Sequence, residues 1–258
     1  MADLLPQWRS SKSIDYSAIL NAYQKVLYWL PRIQFEGHFG LDYAFCFRDQ
    51  VLNYKVFIRD TEYFKRCFWS VFAGHYPVSD GINQDLENLV VHLEEVERKT
   101  FVYYDFQSRN IMWKDQEPFF IDYQMGCRGA IHYDLASLLY ASASGLNDEL
   151  RNLLIDFYLE ELNPRLRLSR TEFFKDFYHF VLIRRLRSLG TYGFLSAKKG
   201  KLRFLEGVPK TIHEIFELLD NRIELKSFHY LKSLFNDWKQ DENLCRVSSL
   251  YQKIEGSP

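Results

Sequence analysis

The sequence predicts a mainly α-helical protein with one small β-hairpin near its middle, and three observations support this fold class. Apolar residues recur at three- and four-residue steps over most of the chain, which is typical of helices that bury one face. Between about residues 101 and 122 this period gives way to short apolar runs, which are typical of strands. The 258 residues are 47% hydrophobic and 26% charged, a balance that supports a folded core.

Three helices are predicted before the hairpin. The first runs from about Asp15 to Leu30, and Pro31 should end it because proline cannot continue the hydrogen-bond ladder. The second is predicted over 60–73 and the third over 80–98, since both ranges place apolar side chains on a single stripe.

The middle of the chain contains three short apolar or aromatic runs: FVYYD at 101–105, NIMW at 110–113 and PFFID at 118–122. The polar sequence KDQE separates the last two runs. Residues 110–122 therefore predict a β-hairpin.

Helical periodicity returns after Asp134. Asn147 is expected to cap one of the later helices, and Ser169 with Glu172 form a capping box for another. The last twenty residues lose the periodicity and predict a frayed tail. The later helices are predicted over 148–162, 169–189, 208–219 and 224–239.

Charge and composition exclude several classes of protein. The 33 Lys and Arg residues nearly balance the 34 Asp and Glu residues, so the chain lacks the basic excess of nucleic-acid binders. No apolar run is long enough to span a membrane, and the first residues lack the apolar core of a secretory signal. Four scattered cysteines favour reduced thiols. We therefore expect a cytoplasmic protein with neither a nucleic-acid nor a membrane partner.

Polar residues occur at fixed spacing around the predicted hairpin. Asp105 and Asn110 lie five residues apart before its first strand, and Asp122 follows its second strand. A carboxylate can accept a proton from a hydroxyl, and amide and carboxylate oxygens are ligands that Mg²⁺ prefers. The alternative is that Asp105 and Asn110 only form turns by bonding to their own backbone, and that Asp134 is only a helix N-cap.

The sequence YYDFQSRNIMWKDQEPFFIDYQMGCRGAIHYDLASLL, at 103–139, resembles the catalytic region of the aminoglycoside phosphotransferase and choline kinase-like family. Its segments D-F-x-S-R-N, I-D-Y-Q and Y-D-L-A-S-L-L are most similar to kinases that phosphorylate N-acetylmuramate or N-acetylglucosamine. The resemblance implies the C-terminal lobe of a protein-kinase-like fold. It divides the chain into a helical catalytic lobe at 1–220, with its catalytic loop and hairpin at 101–122, and a C-terminal helix and tail at 221–258.

The resemblance also implies an activity, which is ATP- or GTP- and Mg²⁺-dependent phosphoryl transfer to a hydroxyl of a small molecule, a sugar or amino sugar. Asp105 would be the catalytic base, and Asn110 and Asp122 would be the metal ligands. It assigns no residue to the nucleotide. The residues that it implies to support the loop are Tyr103, which stands where the family has His, together with Ser108, Arg109 and Asp134.

A kinase fold also needs a sheet lobe that covers the nucleotide, with a glycine-rich loop and a strand lysine. This chain has no G-x-G and no glycine before Gly37. About 14 residues precede the first predicted helix, whereas five strands need about 50. We therefore expect the N-terminal sheet lobe to be absent from this chain and to come from a separate polypeptide, a partner subunit or a longer natural protein of which this chain is a piece. An apolar face left uncovered would favour self-association. The alternative is a catalytically impaired kinase-like binding or interaction module.

Overall fold

The structure is a computed structural model that describes Met1 and residues 16–255. The described residues are mostly helical and include two small antiparallel sheets. The predicted fold class, mainly α with a small β-hairpin, is confirmed at this level. Among the residues described, no helix combines the length and apolar character needed to cross a membrane.

The helices and strands are numbered in chain order. The strands are β1 (Thr100–Val102), β2 (Ile111–Lys114), β3 (Glu117–Phe120) and β4 (Cys127–Gly129). The α-helices of four or more residues are α1 (Tyr16–Glu36), α2 (Tyr54–Phe64), α3 (Asp80–Glu95), α4 (His132–Leu139), α5 (Asp148–Leu162), α6 (Arg170–Gly193), α7 (Val208–Asn221), α8 (His229–Gln240), α9 (Glu242–Cys245) and α10 (Val247–Glu255).

The chain forms two compact units, and each unit combines two separate stretches of sequence. Unit 1 contains residues 1–52 and 96–177, and unit 2 contains residues 53–95 and 178–258. This structural division differs in kind from the functional division at residue 220, which stays a prediction.

In unit 1, helix α1 continues through Pro31 to Glu36, so the predicted helix end at Pro31 is wrong. Helix α1 packs against α5. Buried Gln34 donates to the carbonyl of Ile131 at 2.9 Å and accepts from the hydroxyl of Tyr158 at 2.7 Å. Because these contacts hold the last turn in place, the helix tolerates the one hydrogen bond that proline cannot donate.

The hairpin predicted at 110–122 is confirmed as the antiparallel pair β2–β3. Its two turn residues, Asp115 and Gln116, both have positive φ, at 50° and 63°. Two central residues of this kind form the turn whose twist matches that of paired strands. The register places Ile111 opposite Phe120, so the residues just before β2 and just after β3 are neighbours.

A second sheet, which the sequence analysis missed, pairs β1 with β4 in an antiparallel register. Val102 lies opposite Cys127, and Val51 forms a bridge to Arg128 on the outer side of β4. This sheet holds together the backbone that precedes the polar loop and the backbone that follows the hairpin.

In unit 2, α2 begins six residues earlier than predicted because Asn53 caps it, accepting from the amide of Val56 at 3.3 Å. A buried aromatic cluster forms the core, with the rings of Trp69 and Trp238 edge to face at 5.2 Å. Helices α9 and α10 occupy the residues for which the sequence predicts a tail. Each helix buries one leucine, Leu244 or Leu250, so short apolar anchors are enough to order this segment.

Candidate functional site

The loop after β1 is fixed by one buried carboxylate. Asp134, in the first turn of α4, accepts the backbone N–H of Tyr103 at 2.7 Å and that of Tyr104 at 3.0 Å. Its side chain is fully buried, and Tyr104 has a left-handed backbone with φ of 77°. Because a single carboxylate pairs with both buried amides, Asp134 determines how the chain turns from β1 into the loop.

Asp105 follows this turn, and its carboxylate accepts three side-chain hydrogen bonds. Oδ1 accepts from Nε2 of Gln107 at 2.5 Å. Oδ2 accepts from Nη2 of Arg109 at 2.7 Å and from Nδ2 of Asn110 at 3.1 Å. The Asp105 side chain is 29% exposed, so the carboxylate is held by its neighbours while part of it still faces solvent.

Asn110 is buried and connects the loop to the hairpin. The side-chain Nδ2 of Asn110 also donates to the backbone carbonyl of Asp105 at 2.9 Å. The backbone carbonyl of Asn110 accepts the N–H of Ile121 at 3.0 Å. Asn110 closes a 3-10 turn that starts at Ser108, which is buried and accepts the N–H of Ile111 through its carbonyl. With Nδ2 used inside the loop, the amide oxygen Oδ1 is the atom of Asn110 that can bind a cation.

Asp122 lies two residues after the end of β3, at the same end of the hairpin as Asn110. Its backbone is left-handed, with φ of 67° and ψ of 40°, and its side chain is exposed. The hydroxyl of buried Tyr103 donates to the carbonyl of Ile121, one residue before Asp122. The loop and the end of β3 are therefore joined by one side chain.

The pKa of the Tyr103 hydroxyl reflects the negative charge around the site. Burial raises the pKa of Tyr103, and the nearby carboxylates of Asp122, Asp134 and Asp105 raise it further. A concentration of negative charge of this kind favours a cation. The same ring packs edge to face on Phe106 at 5.3 Å, which gives the loop an apolar support.

The oxygen donors of this site fit a magnesium ion. Asn110 and Asp122 offer an amide oxygen and a carboxylate, which are the hard ligands that Mg²⁺ prefers. Within the described part of the chain, no group of three or more His, Cys, Asp or Glu side chains is arranged to hold a metal ion. An Mg²⁺ ion is usually held by one or two carboxylates, with water and substrate phosphates as its other ligands.

The structure thus brings the sequence-predicted residues together in one part of unit 1, and their functional roles stay predictions. Gln107 is the contact that sequence reasoning missed. Its only signal is a position two residues after Asp105, where a polar side chain inside a tight loop can reach back to the carboxylate.

The hydroxyl of Tyr103 makes a testable contribution to stability. Tyr103→Phe should lower the free energy of unfolding by about 1 to 2 kcal/mol, because it leaves the carbonyl of Ile121 without its donor. Urea denaturation measures this loss. Tyr123→Phe is the control, since that ring is 67% exposed and its variant should be as stable as wild type. Equal stability of both variants would contradict the assigned hydrogen bond.

A comparison with known protein families finds a similarity over the part of the chain that contains this site. Residues 66–168 match the family model of the APH phosphotransferase enzyme family, which is less than half of the chain. The matched range includes the loop, the hairpin and Asp134. No curated protein matches the chain significantly. This part of the sequence is therefore similar to phosphotransferases.

Proposed function

We propose that this protein is a phosphotransferase that uses ATP or GTP and Mg²⁺ to phosphorylate a hydroxyl of a small molecule. The observation that carries the proposal is the joined geometry of Asp105, Asn110 and Asp122. The first two are hydrogen-bonded to each other, and Asn110 pairs across the hairpin with the residue before Asp122. The family match over the same residues supports it.

In this proposal each residue has a distinct task. The carboxylate of Asp105 orients the acceptor hydroxyl and takes its proton, while Asn110 and Asp122 hold the metal ion. When bound, Mg²⁺ neutralises charge that develops on the phosphate oxygens. Asp134 and Tyr103 keep the loop and the strand end in register through the hydrogen bonds described above.

We further propose that the acceptor is a sugar or amino sugar and that it carries negative charge. The motif D-F-Q-S-R-N supports the sugar class through its resemblance to amino-sugar kinases. An exposed arginine, Arg128 on β4, favours an anionic acceptor such as N-acetylmuramate.

A second candidate is a catalytically impaired binding module, and one observation favours it. All three side-chain donors around Asp105 point at its carboxylate, so the proposed base is already engaged. An enzyme of the proposed class would also need a nucleotide-covering sheet lobe. We propose that a separate polypeptide, a partner subunit or another part of a longer protein supplies it.

Nucleotide binding distinguishes the two candidates. Isothermal titration with Mg·ATP should give a binding signal for wild type and at least about a tenfold weaker affinity for Asp122→Asn, because a charged metal ligand is lost. Glu117→Gln is the matched control, since it makes the same change at an exposed carboxylate of the same hairpin. No binding by wild type at millimolar Mg·ATP would favour the module.

A further inference from the structure

The engagement of Asp105 conflicts with its proposed task. A base must offer a carboxylate oxygen to the incoming hydroxyl, yet Oδ2 of Asp105 is occupied by both Arg109 and Asn110. The bond from Asn110 is part of the turn itself, because the same amide group also binds the backbone of Asp105. The ion pair with Arg109 is not part of the turn, because the Arg109 side chain is exposed at the surface.

The ion pair between Asp105 and Arg109 is easy to break. The Arg109 side chain is 59% exposed, and Arg109 lies four residues after Asp105 along the loop. Exposed ion pairs of this type are worth about 0.2 to 1 kcal/mol. A guanidinium binds a phosphate group more strongly, because two parallel hydrogen bonds and a larger charge act together.

We propose that Arg109 is a phosphate-binding residue that exchanges partners. In the free protein it pairs with Asp105, and when a nucleotide binds it transfers to the terminal phosphate. Its departure frees one lone-pair position of Oδ2 for the acceptor hydroxyl, while Asn110 keeps the other. This inference rests on the proposed function. In this way the carboxylate of Asp105 becomes available as a base only when the phosphate donor has bound. The ion pair between Asp105 and Arg109 then represents the nucleotide-free state of the enzyme.

A double-mutant cycle on nucleotide affinity tests this exchange. The ligand is the Mg²⁺ complex of a non-hydrolysable ATP analogue, measured by isothermal titration calorimetry. Asp105→Ala should bind it about two- to fivefold more tightly than wild type, because Arg109 no longer has to leave an ion pair. Arg109→Ala should bind it at least about tenfold more weakly, because a charged hydrogen bond to phosphate is lost. A residue that only stabilised the loop would not produce the gain.

The double variant Asp105→Ala/Arg109→Ala shows whether the gain in nucleotide affinity comes from release of Arg109 or from the loss of one negative charge. Asp105→Ala should bring no gain in the Arg109→Ala background, since the residue that benefits is missing. Asp148→Ala is the matched control, because it removes a carboxylate from another exposed ion pair of unit 1, with Arg151 at 3.0 Å. Its affinity for the analogue should equal that of wild type.

The outcomes distinguish this inference from the proposed function. Equal affinity of Asp105→Ala and wild type, or a gain that persists without Arg109, overturns the exchange even if wild type transfers phosphate. Absence of binding in wild type and all variants overturns both proposals. Circular dichroism of each variant confirms that a change in affinity does not come from unfolding.

Discussion

Replacing Asp105 with Asn should lower kcat for phosphoryl transfer by about 10²- to 10⁴-fold, which is the range that a positioned general base contributes. Asn has nearly the same shape and keeps one acceptor oxygen for the donors of the loop, while the group that takes the proton is lost. Steady-state assays with ATP and a panel of N-acetylated amino sugars measure the effect.

The nucleotide should still bind to this variant, because Asp105 is not one of the proposed metal ligands. The kinetic effect therefore falls on kcat and leaves the KM for ATP no higher than in wild type. Asp148→Asn serves as the control for an unrelated carboxylate of the same unit. An unchanged kcat in Asp105→Asn would show that a different group accepts the proton.

Replacing Asp134 with Ala should be the most destabilising change at the site, by about 2 to 5 kcal/mol. The variant leaves the buried N–H groups of Tyr103 and Tyr104 without acceptors, at about 1 to 3 kcal/mol each. Tyr104 holds a left-handed backbone that is costly for a tyrosine and depends on this support. Urea denaturation followed by circular dichroism gives the free energy of unfolding.

Two further variants test whether the loss comes from these two bonds. Asp134→Asn keeps one acceptor oxygen and should lose less stability than Asp134→Ala. Asp42→Ala removes an exposed carboxylate that caps a short 3-10 turn by accepting one backbone amide, from Ala44 at 2.9 Å, and should cost about 1 kcal/mol. If Asp134→Ala and Asp42→Ala were equally stable, the buried carboxylate would not be what holds the loop.

The sequence predicts the helices best where local signals and apolar periodicity agree. Asn147 caps α5, and Ser169 with Glu172 opens α6 through the expected reciprocal hydrogen bonds. The errors arise where distant contacts decide. Pro31 stays inside α1 because of the packing around Gln34, and the pairing of β4 with β1 joins residues 25 or more positions apart. Neither contact leaves a local pattern in the sequence.

The sequence predicts which residues form the site, but it does not predict which hydrogen bonds those residues make. The spacing of Asp105, Asn110 and Asp122, together with the family resemblance, is enough to select them before any coordinates. Which donors reach Asp105 depends on the loop conformation. That conformation is set by Asp134, from a helix that begins about thirty residues later in the chain. Partner choice of this kind emerges only after tertiary folding.

The interleaving of the two units has a consequence for biosynthesis. Unit 1 combines residues 1–52 with residues 96–177. The ribosome must therefore synthesise all of residues 53–95, which belong to unit 2, before unit 1 can be completed. The nascent chain therefore carries an incomplete apolar surface, which includes α1, until α5 has left the exit tunnel. A chaperone that shields this early segment would have its greatest effect during that interval of translation.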